Sequence, residues 1–236
     1  MDSKLELMVQ GHEIWLERSK SEGDNIELAV VFGHNMRQDG IADIKRVSST
    51  VYSPDGGKVA PELKTEDTRH LLSFSAGKDG YYTAVVDLST VVLSQIKDGY
   101  MIGPRFKFKD VIYAGAFHQM AKMIVPRGQI GKYSSGLVHG ILEVVPDNAG
   151  YDVGDEALLR VYYEGEPLPS AEVKAVSKNE GKEMVTVKSD KDGMARVPIT
   201  RDGEWMFLAR HRDPRKKVSD EFDESVFVST LVMEAR

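Results

Sequence analysis

Residues 12–34 read HEIWLERSKSEGDNIELAVVFGH. Strand side chains alternate between two faces. His12, Ile14 and Leu16 therefore share one face of the first run, and Ile26, Leu28, Val30, Phe32 and His34 share one face of the second. Between them KSEGDN, residues 20–25, is a turn-rich piece centred on Gly23. An antiparallel hairpin about that centre pairs position 14 with 32 and 16 with 30, and sets His12 opposite His34. Apolar then meets apolar throughout, as burial of one face demands. Directly opposed Cβ atoms lie roughly 4.5–5.5 Å apart, close enough for two imidazoles to share a metal ion at about 2.0–2.1 Å per nitrogen. The pair falls at the open end of the hairpin, where the apolar face stops.

The same β grammar runs along the rest of the chain. Asp-Gly, whose residues both tolerate positive φ and so suit tight turns, occurs at 39–40, 55–56, 79–80, 98–99, 192–193 and 202–203. Between the turns lie short runs rich in Val, Ile, Tyr and Thr, such as YYTAVVDL, ALLRVYY and VFVSTLVM. Only residues 89–96 and 117–124 carry a helical period, and both read equally well as strands. RGQIGKYSSG, residues 127–136, has the composition of a linker. Beyond it, runs at 141–145, 157–163, 171–177, 183–188, 195–199, 204–211 and 226–234 have the density of an immunoglobulin-like sandwich. The charged stretch 213–225 is an exposed loop before the last of them. The expected fold is all-β: two β-sandwich-like domains, residues 11–135 and 136–236, the second immunoglobulin-like, after a leader or disordered segment at 1–10.

Composition narrows the function. The 236 residues, 41% of them hydrophobic and 29% charged, suffice for packed cores. A net charge of −6 argues against a nucleic-acid or anionic-membrane surface and suits a cationic partner. No run approaches the roughly 18 apolar residues of a membrane span, so direct membrane insertion is not expected. The absence of cysteine excludes disulfides, thiolate ligands and cysteine nucleophiles, leaving His, Asp, Glu and Met as possible ligands. No G-x-S-x-G elbow, P-loop, Rossmann fingerprint or H-E-x-x-H motif is present, so an enzyme is not expected. SDKDGMA at 189–195 lacks the distal glutamate of a calcium loop and reads as a hairpin turn.

An ion held by His12 and His34 needs further ligands. His211, at the end of EWMFLARH, and His118, in AFHQMAKM, are the first choices. Met120 and Met123 offer soft donors for copper, although core packing explains them more simply. His70 and His139 read as structural. Three rival readings remain, the first two being a structural or adhesive module with incidental histidines and a carbohydrate- or small-ligand-binding protein using Trp15, Tyr81, Tyr82 and Trp205. A third, a copper enzyme or chaperone with a histidine brace, requires His12 to be the mature N-terminus.

Several segments, in order and spacing, carry a family resemblance: HEIWLE from His12, VVFGHN, AKMIVPRG at 121–128, GILEVVP at 140–146, GDEALLRVYYEGEPLPSAEVKAV at 154–176, SDKDGMARVPI at 189–199 and DGEWMFLARH at 202–211. The chain resembles the periplasmic nickel/cobalt uptake-associated, NikM-like proteins, with a C-terminal domain similar to immunoglobulin-like and transthyretin-like modules. The resemblance implies a periplasmic or extracellular protein that binds nickel or cobalt for a membrane metal-uptake transporter. It carries over to His12 and His34 most directly, and to His118 and His211 more weakly. Imidazole suits copper and zinc as well, so the metal's identity rests on the resemblance. In many relatives the first histidine lies at or beside the mature N-terminus, whereas here eleven residues precede it. Binding is expected to weaken as pH falls through about 6.5, because a ligating imidazole must be deprotonated.

Overall fold

The structure, a computed structural model, describes residues 12–134 and 137–236. Among the described residues the helical pieces are two three-residue 3-10 turns, Ile44–Arg46 and Arg105–Lys107; the regular structure is otherwise β. Both segments with a helical period are strand, because long-range pairing on both sides outweighs local periodicity.

Three sheets form three layers. The first contains β1 (Glu13–Glu22), β2 (Asn25–His34), β7 (His70–Ser75) and β6 (Glu62–Thr65) in that order, with β3 (Arg37–Gly40) paired to β2. The central sheet orders β15 (Lys182–Lys188), β14 (Glu172–Ser177), β17 (Gly203–Asp213), β18 (Glu224–Ala235), β10 (Tyr113–Arg127), β8 (Gly80–Ile96), β4 (Val47–Tyr52) and β5 (Lys58–Val59), with β9 (Gly99–Ile102) on β8. The third contains β11 (Leu142–Pro146), β12 (Glu156–Tyr163) and β13 (Glu166–Pro167), with β16 (Met194–Pro198) on β12.

Alternation along the central strands gives that sheet a core on each face. Met206, Leu208, Val228 and Val232 pack with Ile14, Leu16, Leu28 and Leu72 of the first sheet. Their neighbours Trp205, Phe207, Phe227 and Leu231 pack with Leu142, Leu159, Val161 and Val197 of the third. The all-β expectation holds, as two sandwich-like packings that share a sheet. On the C-terminal side β15, β14, β17 and β18 of the central sheet face the four-stranded third sheet, two packed antiparallel layers in the manner of an immunoglobulin-like sandwich. All seven strand-like runs after residue 140 are strands.

The central sheet joins the two halves of the chain through a parallel pair, β10 beside β18, with Gly115 opposite Glu224 and Met123 opposite Val232. A buried ion pair, Lys122 Nζ to Glu143 Oε1 at 2.7 Å, ties β10 to the third sheet, and Glu143 also accepts from the Val138 amide. Burial pushes the Lys122 ammonium pKa down, against the pull of the Glu143 carboxylate. The segment expected as a leader, residues 1–10, and the junction at 135–136 lie outside the described residues.

Candidate metal centre

The first hairpin has the register its apolar pattern demands, though by a less direct route. Its turn is Gly23-Asp24, with Glu22 paired to Asn25, half a residue off the expected centre. Continued without interruption, that pairing would slip the far end by one residue. A bulge between Arg18 and Ser21 absorbs the difference, and beyond it Arg18 meets Leu28, Leu16 meets Val30 and Ile14 meets Phe32. The His12 and His34 rings consequently meet with centroids 4.0 Å apart at 58°. His12, 6% exposed, also stacks on Phe32 at 4.8 Å and 17°.

The start of β1 is held by the central sheet, not only by its partner strand. β1 is an edge strand, and its unpaired backbone groups would be costly to bury. Gln119 of β10 satisfies two of them: its Nε2 donates to the His12 carbonyl at 2.8 Å, and its Oε1 accepts from the Ile14 amide at 2.9 Å. Thr230 of β18 donates its hydroxyl to the Ile14 carbonyl at 2.6 Å. His12 is thus positioned by residues more than a hundred places away.

A third group completes the cluster. After His34 the chain reverses in a two-residue turn, Asn35-Met36, with φ of 49° and 59°, the positive pair of a type I′ hairpin. His34 then pairs with Arg37 and Gly33 with Gln38, but Phe32 pairs with Gly40. Asp39 is the extra residue of a bulge, a device that re-aims a side chain. Gly33 makes room for it: a Cβ there would lie 2.2 Å from the Arg37 carbonyl oxygen and 2.9 Å from the Asp39 nitrogen. The Asp39 carboxylate spans both rings, with Oδ1 2.8 Å from His12 Nε2 and Oδ2 2.7 Å from His34 Nδ1. A carboxylate only accepts, so these two ring nitrogens carry the protons.

Among the described residues, His12, His34 and Asp39 form a group whose ligand atoms all lie within 4.8 Å of one another. Two ligands at right angles on one ion, each at 2.0–2.1 Å, are about 2.9 Å apart, close to the two nitrogen–oxygen separations here. With each imidazole in its other tautomer, its proton on the nitrogen turned away from Asp39, a divalent cation could take the place of the two N–H···O contacts, and two neutral imidazoles with a carboxylate are a set suited to nickel, cobalt, zinc or copper. Beside the group, the Glu13 carboxylate, 4% exposed, accepts from the Asn35 amide at 2.7 Å. Burial pushes its pKa up, opposed by the Asn35 N–H and by the charges of His34, Lys174 and Arg210.

The remaining histidines lie elsewhere. His118 and His211 both register against Phe227, on the face of the central sheet that meets the third sheet. His118 lies 6.2 Å from the Phe227 ring, with Nε2 3.7 Å from Asp87 Oδ1, and His211 contacts the Tyr163 ring at 4.3 Å. The sheet itself separates them from His12 and His34. His70 is buried, with Nε2 at 2.8 Å from the Ala42 carbonyl and Nδ1 at 3.1 Å from Thr65. His139 is exposed in a loop at φ 63°, outside the strand that its sequence neighbourhood suggests. Met120 and Met123 are buried in the cores. Trp15, Tyr82 and Trp205 are at most 1% exposed, which leaves no stacking platform at those three aromatics.

Asp39 was not legible in the sequence because Asp39-Gly40 reads as another Asp-Gly turn. The other five such pairs do sit at turns, each with a positive-φ glycine, whereas Asp39-Gly40 closes β3. The overlooked signal was Asn35-Met36 itself: a two-residue turn there folds residue 39 back beside residue 34.

Fold and site together define a layered β-sandwich protein with a His–His–Asp group where one sheet's edge meets another. The chain belongs to the family described as "Domain of unknown function (DUF4198)", whose model matches residues 9–213. No curated protein matches it. Among solved structures it is similar to the D0-D1 domain of intimin, at 13% identity and a TM-score of 0.24, covering 94% of this chain and 97% of that one. It is also similar to the Yersinia pseudotuberculosis adhesin InvE, at 9% identity and a TM-score of 0.23 over 94% of this chain and 58% of that one. Murine CEACAM1b matches at 9% identity and a TM-score of 0.23, over 96% and 100% of the two chains.

Proposed function

We propose that this protein is an extracytoplasmic transition-metal-binding protein, not an enzyme, that holds its ion through His12, His34 and Asp39 and serves a membrane metal-uptake system. The observation that carries this reading is the Asp39 carboxylate reaching both imidazoles, at 2.8 and 2.7 Å. The supports are specific: a bulge made possible by Gly33 delivers the carboxylate, and side chains of two other strands fix the backbone beside His12. Nickel and cobalt are preferred within the set that such ligands allow because of the resemblance to NikM-like proteins, which is also the ground for the periplasmic or extracellular setting.

Calorimetric titration with Ni²⁺, Co²⁺, Cu²⁺ and Zn²⁺ tests the reading. The wild-type protein should bind at least one of them tighter than about 10 μM, and His12→Ala, His34→Ala and Asp39→Asn should each weaken that binding by roughly tenfold or more. Wild-type binding no tighter than millimolar, or normal binding in all three variants, would sink it.

A further inference from the structure

His34 faces a cleft of about 330 Å³, also lined by Glu13, Asn35, Lys174, Glu183 and Arg210. That is far more room than a single water needs. Its carboxylates are already engaged. Glu13 accepts from the Asn35 amide. Glu183 pairs with Lys174 at 3.3 Å and accepts from Thr186 at 2.7 Å. Glu172, at the rim, faces Lys188 at 3.6 Å. Lys174 is engaged too, through Glu183 and the Asn35 side chain at 3.3 Å.

Arg210 differs. Among the described residues no carboxylate lies within 4.0 Å of its guanidinium, and Glu13 acts on it only at longer range. It lines this cleft beside His34 and also the small hollow that His12 shares with Phe32 and Gln119. A guanidinium is a planar, permanently charged fork matched to carboxylates. His12, His34 and Asp39 supply three donors, so a four- to six-coordinate ion there keeps open positions.

We infer that the ion is bound together with a small carboxylate chelator, which fills the open positions from the cleft and rests a carboxylate on Arg210. This rests on the metal reading above and adds the chemical class of what accompanies the ion. Two donors would come from one organic acid, and its negative charge would be met by Arg210 and by the cation.

The test uses the full chain saturated with Ni²⁺, with oxalate as the probe and calorimetry as the readout. Oxalate should bind the nickel-loaded protein in a one-to-one ternary complex, at least tenfold more tightly than it binds nickel-loaded Arg210→Gln. Working at nickel saturation separates the two proposals. If nickel itself does not bind, the metal reading and this inference both fall. If nickel binds but oxalate strips it from the protein, or binds Arg210→Gln as well as wild type, the metal reading stands and this inference is overturned. Loss of oxalate binding in Arg210→Gln counts as support only if its far-ultraviolet spectrum and melting point match wild type; if they do not, Arg210→Lys, which keeps the charge without the fork, should bind oxalate more weakly than wild type, and equal binding overturns the inference.

Discussion

Replacing Gly33 with alanine would set a methyl carbon 2.2 Å from the Arg37 carbonyl oxygen, 2.9 Å from the Asp39 nitrogen and 3.0 Å from the Gln38 Cα. All three are backbone atoms, so no side-chain rotation relieves the clash. β3 must withdraw by about an ångström to restore ordinary contacts, at a cost of roughly 1–3 kcal/mol for overpacking. In a chain of this size that lowers the melting temperature by about 2–4 °C for each kcal/mol. The same withdrawal carries Asp39 off the two rings, whose present separations of 2.8 and 2.7 Å leave little slack. One donor of three is then lost, and metal affinity should fall at least tenfold, with the other two ligands chemically intact. Paired measurements, a thermal melt of the metal-free protein and a Ni²⁺ titration, check both halves. A Gly33→Ala protein that melts within about a degree of wild type and binds nickel equally well would refute the account of how Asp39 is delivered.

Four further outcomes follow from the geometry. Gln119→Leu leaves the His12 carbonyl and the Ile14 amide without their partner, which should cost about 1–3 kcal/mol per group and increase hydrogen exchange at Ile14. Lys122→Met or Glu143→Gln alone strands a buried partner and should cost roughly 3–5 kcal/mol, whereas Lys122→Met with Glu143→Leu should approach wild-type stability in denaturant melts, since a well-packed apolar pair often replaces a buried ion pair without loss. Burial lowers the pKa of both His118 and His211; the unfolded chain then binds more protons just below pH 6.5, and stability falls as pH drops through that range. His118→Gln with His211→Gln should flatten this acid limb in melts between about pH 5 and 7, and an unchanged slope would count against it. Finally, Met36→Gly, which relieves a side chain at φ 59°, should leave nickel affinity within about threefold of wild type if the turn serves only to reverse the chain.

The hairpin register was legible because period-two burial leaves few ways to pair HEIWL with IELAVVFGH. The strands after residue 140 were legible because glycine-containing turns separate most of the apolar runs, and the charged stretch 213–225 sets off the last. The compensating bulge at 18–21 was not, since ERSKSE has no apolar pattern to report a slipped residue. Nor was the shared central sheet, because the parallel pairing of β10 with β18 joins segments about a hundred residues apart and leaves no local trace. The same limit hid the placement of His118 and His211. Their strands alternate as expected, but which face looks toward His12 depends on how the layers stack.

The long reach of Thr230 also bears on the order in which the molecule assembles. The hydroxyl that fixes the Ile14 carbonyl comes from a residue 216 positions later in the chain, and β18, which carries it, is the last strand in the sequence. Contacts of such separation form slowly and cannot form before β18 has been made. His12, which precedes Thr230 by some two hundred positions, is therefore locked in place late. The His12–His34–Asp39 group is thus set only as β18 closes onto the central sheet, so a chain truncated before β18 should leave His12 without that anchor.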